Sequence, residues 1–263
     1  MFSTNKSFYE KLMKSFQENY KFGKFIVDDL EFPKVLIGSS PFIGAGQFGL
    51  KSIAYYKKFY LNQKNISKLL VEAINKGCNA IQAIVCPPIV SAIVEASSIT
   101  KVEMFVCATI ELKKLVYELE AIKKLNAKCV LIHGSISDRK VNELRDAFKG
   151  IKDYIPKTIF GVATHNPGSM INEFMLIPDV KIILSPINSN GEFMSPSVQR
   201  TLLSIENARK KGIKVIGMKT LAAGKIHPKN AFEYVSDKVD GVAVGIASSK
   251  EMEETLKLAE KYF

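Results

Sequence analysis

The strongest constraint on the fold is an uninterrupted alternation that begins at residue 34 and lasts to the end of the chain. Short apolar runs rich in β-branched residues each lead into a polar or glycine-bearing loop, then into a stretch with helical periodicity. A run with no polar face suits a strand covered on both sides, and strands joined through helices run parallel. In order, the strand runs are Lys34 to Gly38, Ala80 to Val85, Glu103 to Thr109, Cys129 to His133, Thr158 to Ala163, Lys181 to Leu184, Lys214 to Met218 and Gly241 to Ile246. Helices are expected after each, the first only from about Ile66, beyond a long glycine-rich loop, SSPFIGAGQFGLKS. Pro87 and Pro88 suit the start of the second helix rather than its interior.

Eight strand–helix pairs over about 230 residues is the length of a (β/α)8 TIM barrel. A doubly wound open sheet competes with it. That fold would carry its glycine fingerprint directly after the first strand, whereas GAGQFG comes too late and no acidic residue follows at the right distance. The expectation is therefore an α/β chain with a TIM barrel over residues 34–263 and an extension over residues 1–33. Within the extension, Phe8, Leu12, Phe16 and Tyr20 recur every four residues, as on a helix packed by one face. Lys24 to Asp28 and Glu31 to Pro33 could form a short hairpin closing one end of the domain.

Composition narrows the class further. Hydrophobic residues make up 47% of the chain, yet no apolar run approaches the roughly 18 residues of a membrane span, and the N-terminus has no apolar signal-peptide core. A soluble, cytoplasmic protein with a small-molecule substrate and no membrane partner is expected. The net charge of +11 comes from lysines scattered among glutamates on helical stretches. That is a solvated surface rather than a basic cluster with aromatics, so no nucleic-acid partner is expected. Cys78, Cys86, Cys107 and Cys129 are too widely spaced for a CxxC pair and read as free thiols, mostly buried, with no metal site. The oligomeric state is left open.

Active sites of such barrels lie at the C-terminal ends of the strands. The polar residues there are Ser39, Ser40, Gln82, His133, Thr164, His165, Asn166, Ser185, Asn188, Lys219 and the segment Gly245 to Ser249. His133 closes the run CVLIH, where a neutral imidazole can donate to a substrate oxygen or move a proton; a core histidine bonded to backbone is the alternative. His165 stands in a turn-forming context, THNPG. Lys219 follows an apolar run directly, so partial desolvation would lower its pKa, or it would stay charged and hold an anion. Gly245 to Ser249 precede a helix whose free N–H groups attract anions, phosphate above all. The same residues also read as a plain cap, with Ser248 or Ser249 paired with Glu251 or Glu253 in a capping box.

These segments carry a family resemblance. IGMKTLAAGKI and VDGVAVGIASSKEMEETLKLA are similar to the last two strands and the last helix of aldo-keto reductases, the part that holds the cofactor's phosphate. VLIHGS resembles the strand ending in the family's catalytic histidine, here His133; FGVATHN and SPIN resemble the next two strands, matching at Asn188. The similarity extends over about residues 34–260, and only the C-terminal motifs are specific. It implies a TIM barrel that binds NADP or NAD, with Asn166, Asn188, Gly245, Ala247, Ser248 and Ser249 at the cofactor. The family's catalytic Asp, Tyr, Lys and His are kept only at His133. Gln82 stands at the aspartate, Pro87 and Pro88 in the region of the tyrosine, and Ala108 or Thr109 at the lysine. Tyr55, Tyr56 and Tyr60 precede the first barrel helix and would have to reach across. Ala247 and Thr255 replace a basic residue and an asparagine, and Ile183 a glutamine.

Three readings follow. The first is a divergent oxidoreductase using a nicotinamide cofactor on a carbonyl or alcohol, with His133, Lys219, Gln82 and His165 as the catalytic candidates. The second is a barrel lyase or isomerase acting on a phosphorylated small molecule held by Gly245 to Ser249 and Lys219, with His133 or His165 moving protons. The third is a barrel that binds a ligand without chemistry.

Overall fold

The runs VLIG, AIQAI, FVCATI, CVLI, IFGVA, IILSP, KVIGM and GVAVG are almost wholly buried, on both faces, because side chains that alternate inward and outward meet a packed interior on one side and helices on the other. The computed structural model describes residues 20–263. The expected helix over residues 4–20 therefore falls outside the described residues but for Tyr20, whose buried hydroxyl donates to the Val35 carbonyl and accepts from the Val35 amide.

An antiparallel hairpin, β1 (Lys24–Val27) and β2 (Leu30–Pro33), is followed by the strands β3 (Val35–Gly38), β4 (Ala80–Ile84), β5 (Phe105–Ile110), β6 (Cys129–Ile132), β7 (Ile159–Ala163), β8 (Ile182–Pro186), β9 (Lys214–Met218) and β10 (Gly241–Gly245). These eight close into a parallel barrel in the order β10-β3-β4-β5-β6-β7-β8-β9. The expected barrel is observed, and strand ends differ from expectation by a residue or two. Registers at the C-terminal rim place Gly38 beside Gln82 and Gly245, Ile110 beside Ile132, and Pro186 beside Met218.

The hairpin sits at the opposite end. Phe32 is fully buried, with its ring 5.0 Å from Phe25 and 4.8 Å from Phe105, the first residue of β5. It closes the end of the barrel remote from the rim.

Two segments depart from expectation. The glycine-rich stretch after β3 is not an open loop: short 3-10 turns at Ser40–Ile43 and Gly46–Phe48 lead into a helix, Lys51–Tyr55, and a π turn, Tyr56–Tyr60. Gly44, at φ 60°, lets the chain reverse between them, and Phe42 and Phe59 pack at 5.3 Å with no exposure. Proline and glycine at the start hid this helical segment. After β6, a four-residue helix, Gly134–Ser137, precedes the barrel helix Leu144–Tyr154. His133 is thus the cap of that turn, one residue past the strand it was expected to close.

Candidate active site

At the rim, the ends of β6, β7 and β9 bring His133, His165 and Lys219 together, from positions 54 residues apart in the last two cases. The Lys219 Nζ lies 3.4 Å from His165 Nδ1 and 4.5 Å from the centre of the Phe193 ring. The two imidazole rings meet edge to face at 5.2 Å. Burial, opposed by Asp138, lowers the Lys219 ammonium to about 8, and its backbone sits at φ 56°, a left-handed conformation that a lysine rarely adopts. The loop from Asn188 holds it there. The fully buried Asn188 amide donates to the carbonyls of Glu192 at 2.8 Å and Lys219 at 3.3 Å, and accepts from the Glu192 amide at 3.0 Å.

Desolvation first, then the charge of Lys219 and the neighbouring His133, push His165 down to about 4, so it is neutral at physiological pH. His133 is also lowered, again chiefly by burial, with Glu111 pulling the other way from 3.6 Å. Its Nδ1 accepts from the Ser135 amide at 3.2 Å, which leaves the proton of the neutral ring on Nε2. Asp138 anchors the β7 loop by accepting from Thr164 Oγ1 and the His165 amide, both at 2.7 Å, and burial raises its pKa.

From Lys219 a groove of about 300 Å³ runs outward, the lower end of the size range for ligand sites. Gln82 and Lys219 line its inner end; Gly245, Ala247, Glu251 and Glu254 line its outer end beside the last helix, Ser249–Ala259. Lys51 and Tyr55, from the helical segment after β3, also line it. The Gln82 amide donates to Thr109 Oγ1 at 2.7 Å, which fixes its orientation. Thr220 lines the groove as well, and its hydroxyl is buried with no hydrogen-bond partner among the described residues. A buried polar atom without a partner is costly, and a bound polar ligand would satisfy it.

The sequence candidates divide accordingly. Ser40, Gln82, Lys219, Gly245 and Ala247 line the groove; His133 and His165 do not, and His165 meets Lys219 instead. Ser39 is spent on the β4 backbone, its Oγ accepting from the Ile84 amide at 2.8 Å. Ser248 caps the last helix by accepting from the Glu251 amide at 3.2 Å, Glu251 accepts from the Ala247 amide at 2.8 Å, and Ser249 is exposed as the first helical residue. That is the plain-cap alternative in close to its usual form, and it takes up two of the N–H groups on which the phosphate-loop reading drew. Asn188 is internally saturated, and Asn166 keeps a buried Oδ1 without a partner among the described residues. Sequence reading missed Asp138, Glu111, Lys51 and Phe193. Tyr55, expected to have to reach across, lines the groove, and burial followed by Glu251 raises its phenol pKa. All four cysteines are free thiols. Burial pushes Cys78 up to about 12 and Cys86 up to about 11, and no cluster of metal-ligating side chains occurs among the described residues.

No protein-family model and no curated protein sequence matches the chain. Solved structures do. An aldo-keto reductase from Bacillus halodurans, in its holo form, aligns over 91% of each chain with a TM-score of 0.64 and 13% identity. A Pseudomonas aeruginosa protein assigned to the aldo-keto reductases aligns over 91% of this chain and 95% of its own, with a TM-score of 0.67 and 16% identity. The glycerol dehydrogenase of Gluconobacter oxydans aligns over 90% of both, with a TM-score of 0.64 and 13% identity. The fold is that of the aldo-keto reductase barrels.

Proposed function

We propose that the protein is an oxidoreductase that interconverts a small carbonyl compound and its alcohol with a nicotinamide cofactor. The observation that carries this reading is the groove. It joins a desolvated lysine at the barrel mouth to the start of the last helix, and a buried Thr220 hydroxyl in its wall lacks a partner among the described residues. The structural likeness to aldo-keto reductases supports the same assignment. The residues present fit a polar, extended ligand: Gln82 and Lys219 at the inner end, Ser40, Lys51 and Thr220 along the walls, and Glu251 and Glu254 at the outer end.

When bound, the cofactor supplies or accepts a hydride. The chain's own task is to hold the carbonyl oxygen and move its proton. Lys219 is suited to both, since an ammonium group with a pKa of about 8 remains protonated at neutral pH and is acidic enough to donate to a developing alkoxide. His165, neutral, accepts from the ammonium through Nδ1 and orients it. The Phe193 face shields the other side of the amine. In this arrangement Lys219 replaces the tyrosine of the resembling family as proton donor, and His133 keeps its place beside it.

A reading as a lyase or isomerase of phosphorylated compounds has less support, because Glu251 already occupies the Ala247 amide at the helix start. The test is calorimetric titration of the full chain with NADH and NADPH, followed by a screen of small aldehydes and ketones for cofactor oxidation. Micromolar binding of either cofactor and turnover abolished in Lys219→Met are expected. Failure of both cofactors to bind overturns the assignment.

A further inference from the structure

We infer, on the basis of the cofactor reading above, that the outer end of the groove admits an unphosphorylated ribose and rejects a 2′-phosphate, so that the cofactor is NAD(H) rather than NADP(H). The carboxylates of Glu251 and Glu254 both line this end. Glu251 is fixed by the Ala247 amide, and Glu254 Oε1 lies 2.9 Å from His227 Nε2. The Lys58 ammonium is drawn onto the Ala247 carbonyl at 2.7 Å. The helix N-terminus, which would otherwise favour an anion, is already capped by Ser248 and compensated by Glu251.

A 2′-phosphate carries a charge of about −1.5 to −2 at neutral pH and would be brought against two carboxylates and a saturated helix end. Ribose hydroxyls, by contrast, donate to carboxylates, the recognition used by acidic residues at other dinucleotide sites. Lys51, which lines the groove apart from the proton donor, remains to offset the charge of a diphosphate. Sequence resemblance left the choice between the two cofactors open; the position of these two glutamates decides it.

The experiment is calorimetry with ADP-ribose and 2′-phospho-ADP-ribose, repeated with NADH and NADPH, on the wild-type chain and on the double variant Glu251→Gln/Glu254→Gln. Glutamine keeps an acceptor for the Ala247 amide, so the cap survives; Glu254→Gln alone, at an exposed position, serves if the double variant unfolds. The wild type is expected to bind the unphosphorylated ligand about tenfold or more tightly, a gap that narrows in the variants and at high salt. Equal or tighter binding of the phosphorylated ligand, or a gap unchanged by the substitutions, overturns this inference and leaves the cofactor reading standing. No binding by any of the four ligands removes both.

Discussion

Lys219 gathers most of the site's chemistry into one side chain. Its ammonium is held between a neutral imidazole and an aromatic face, and its charge is one cause of the depressed pKa of His165. Replacing it with methionine should therefore raise the His165 midpoint above about 4, measured by NMR titration of the imidazole protons. A linkage effect accompanies this. Native His165 stays neutral down to about 4, whereas in the unfolded chain it protonates near 6.5, so its burial costs stability as pH falls through that interval. In Lys219→Met this acid-side loss should shrink, which chemical denaturation at pH 5 and pH 7.5 would detect. Asp138, whose pKa burial raises, works in the opposite sense at the acid end. From sequence, the exposure of Lys219 to desolvation was legible, because an apolar run leads straight into it. Its contact with His165 was not, since neither residue marks the other along the chain.

At the scale of elements, the site depends on a loop, Asn188 to Glu192, that does not itself line the groove. The Asn188 amide ties the turn through Glu192 to the Lys219 carbonyl and so stabilises a left-handed lysine. Asn188→Ala removes the partners of the Glu192 amide and carbonyl, whereas the Lys219 carbonyl keeps the Ala222 amide at 2.9 Å. A loss of about 1–3 kcal/mol is expected in denaturant unfolding, together with a fall in turnover through misplacement of Lys219. An Asn188→Asp variant retains the acceptor for the Glu192 amide but turns a buried carboxylate oxygen toward both carbonyls, and should lose at least as much stability at neutral pH. The family resemblance implies Asn188 at the cofactor. Its hydrogen bonds to the loop through Glu192 are not legible in the sequence, because a buried amide is equally compatible with holding a ligand or holding a loop. The segment after β3 was misread for a related reason: its glycines and proline signal turns, but the burial of Phe42 and Phe59 winds the intervening residues into helical turns that present Lys51 and Tyr55 to the groove.

The whole molecule separates its closed end from its open one. Phe32 from the hairpin fills the end away from the rim, where it packs on Phe105. Phe32→Ala should cost about 3–5 kcal/mol in unfolding free energy while leaving the midpoint of His165 unchanged, a pairing that calorimetric melting and NMR titration can check. Eight two-sided apolar runs, each followed by a helical stretch, determined the barrel from sequence alone, because parallel strands must be covered on both faces and a closed sheet leaves no edge. The same alternation put the polar candidates at one rim. Which of them act together was decided only by closure of the barrel and by the packing of its loops. Spacing along the chain does not encode that an ammonium from β9 meets an imidazole after β7, or that a glutamate turns back to cap the last helix and claims the N–H group a phosphate would need. Such contacts depend on distances in space, and side chains far apart in sequence acquire those only when the sheet has closed.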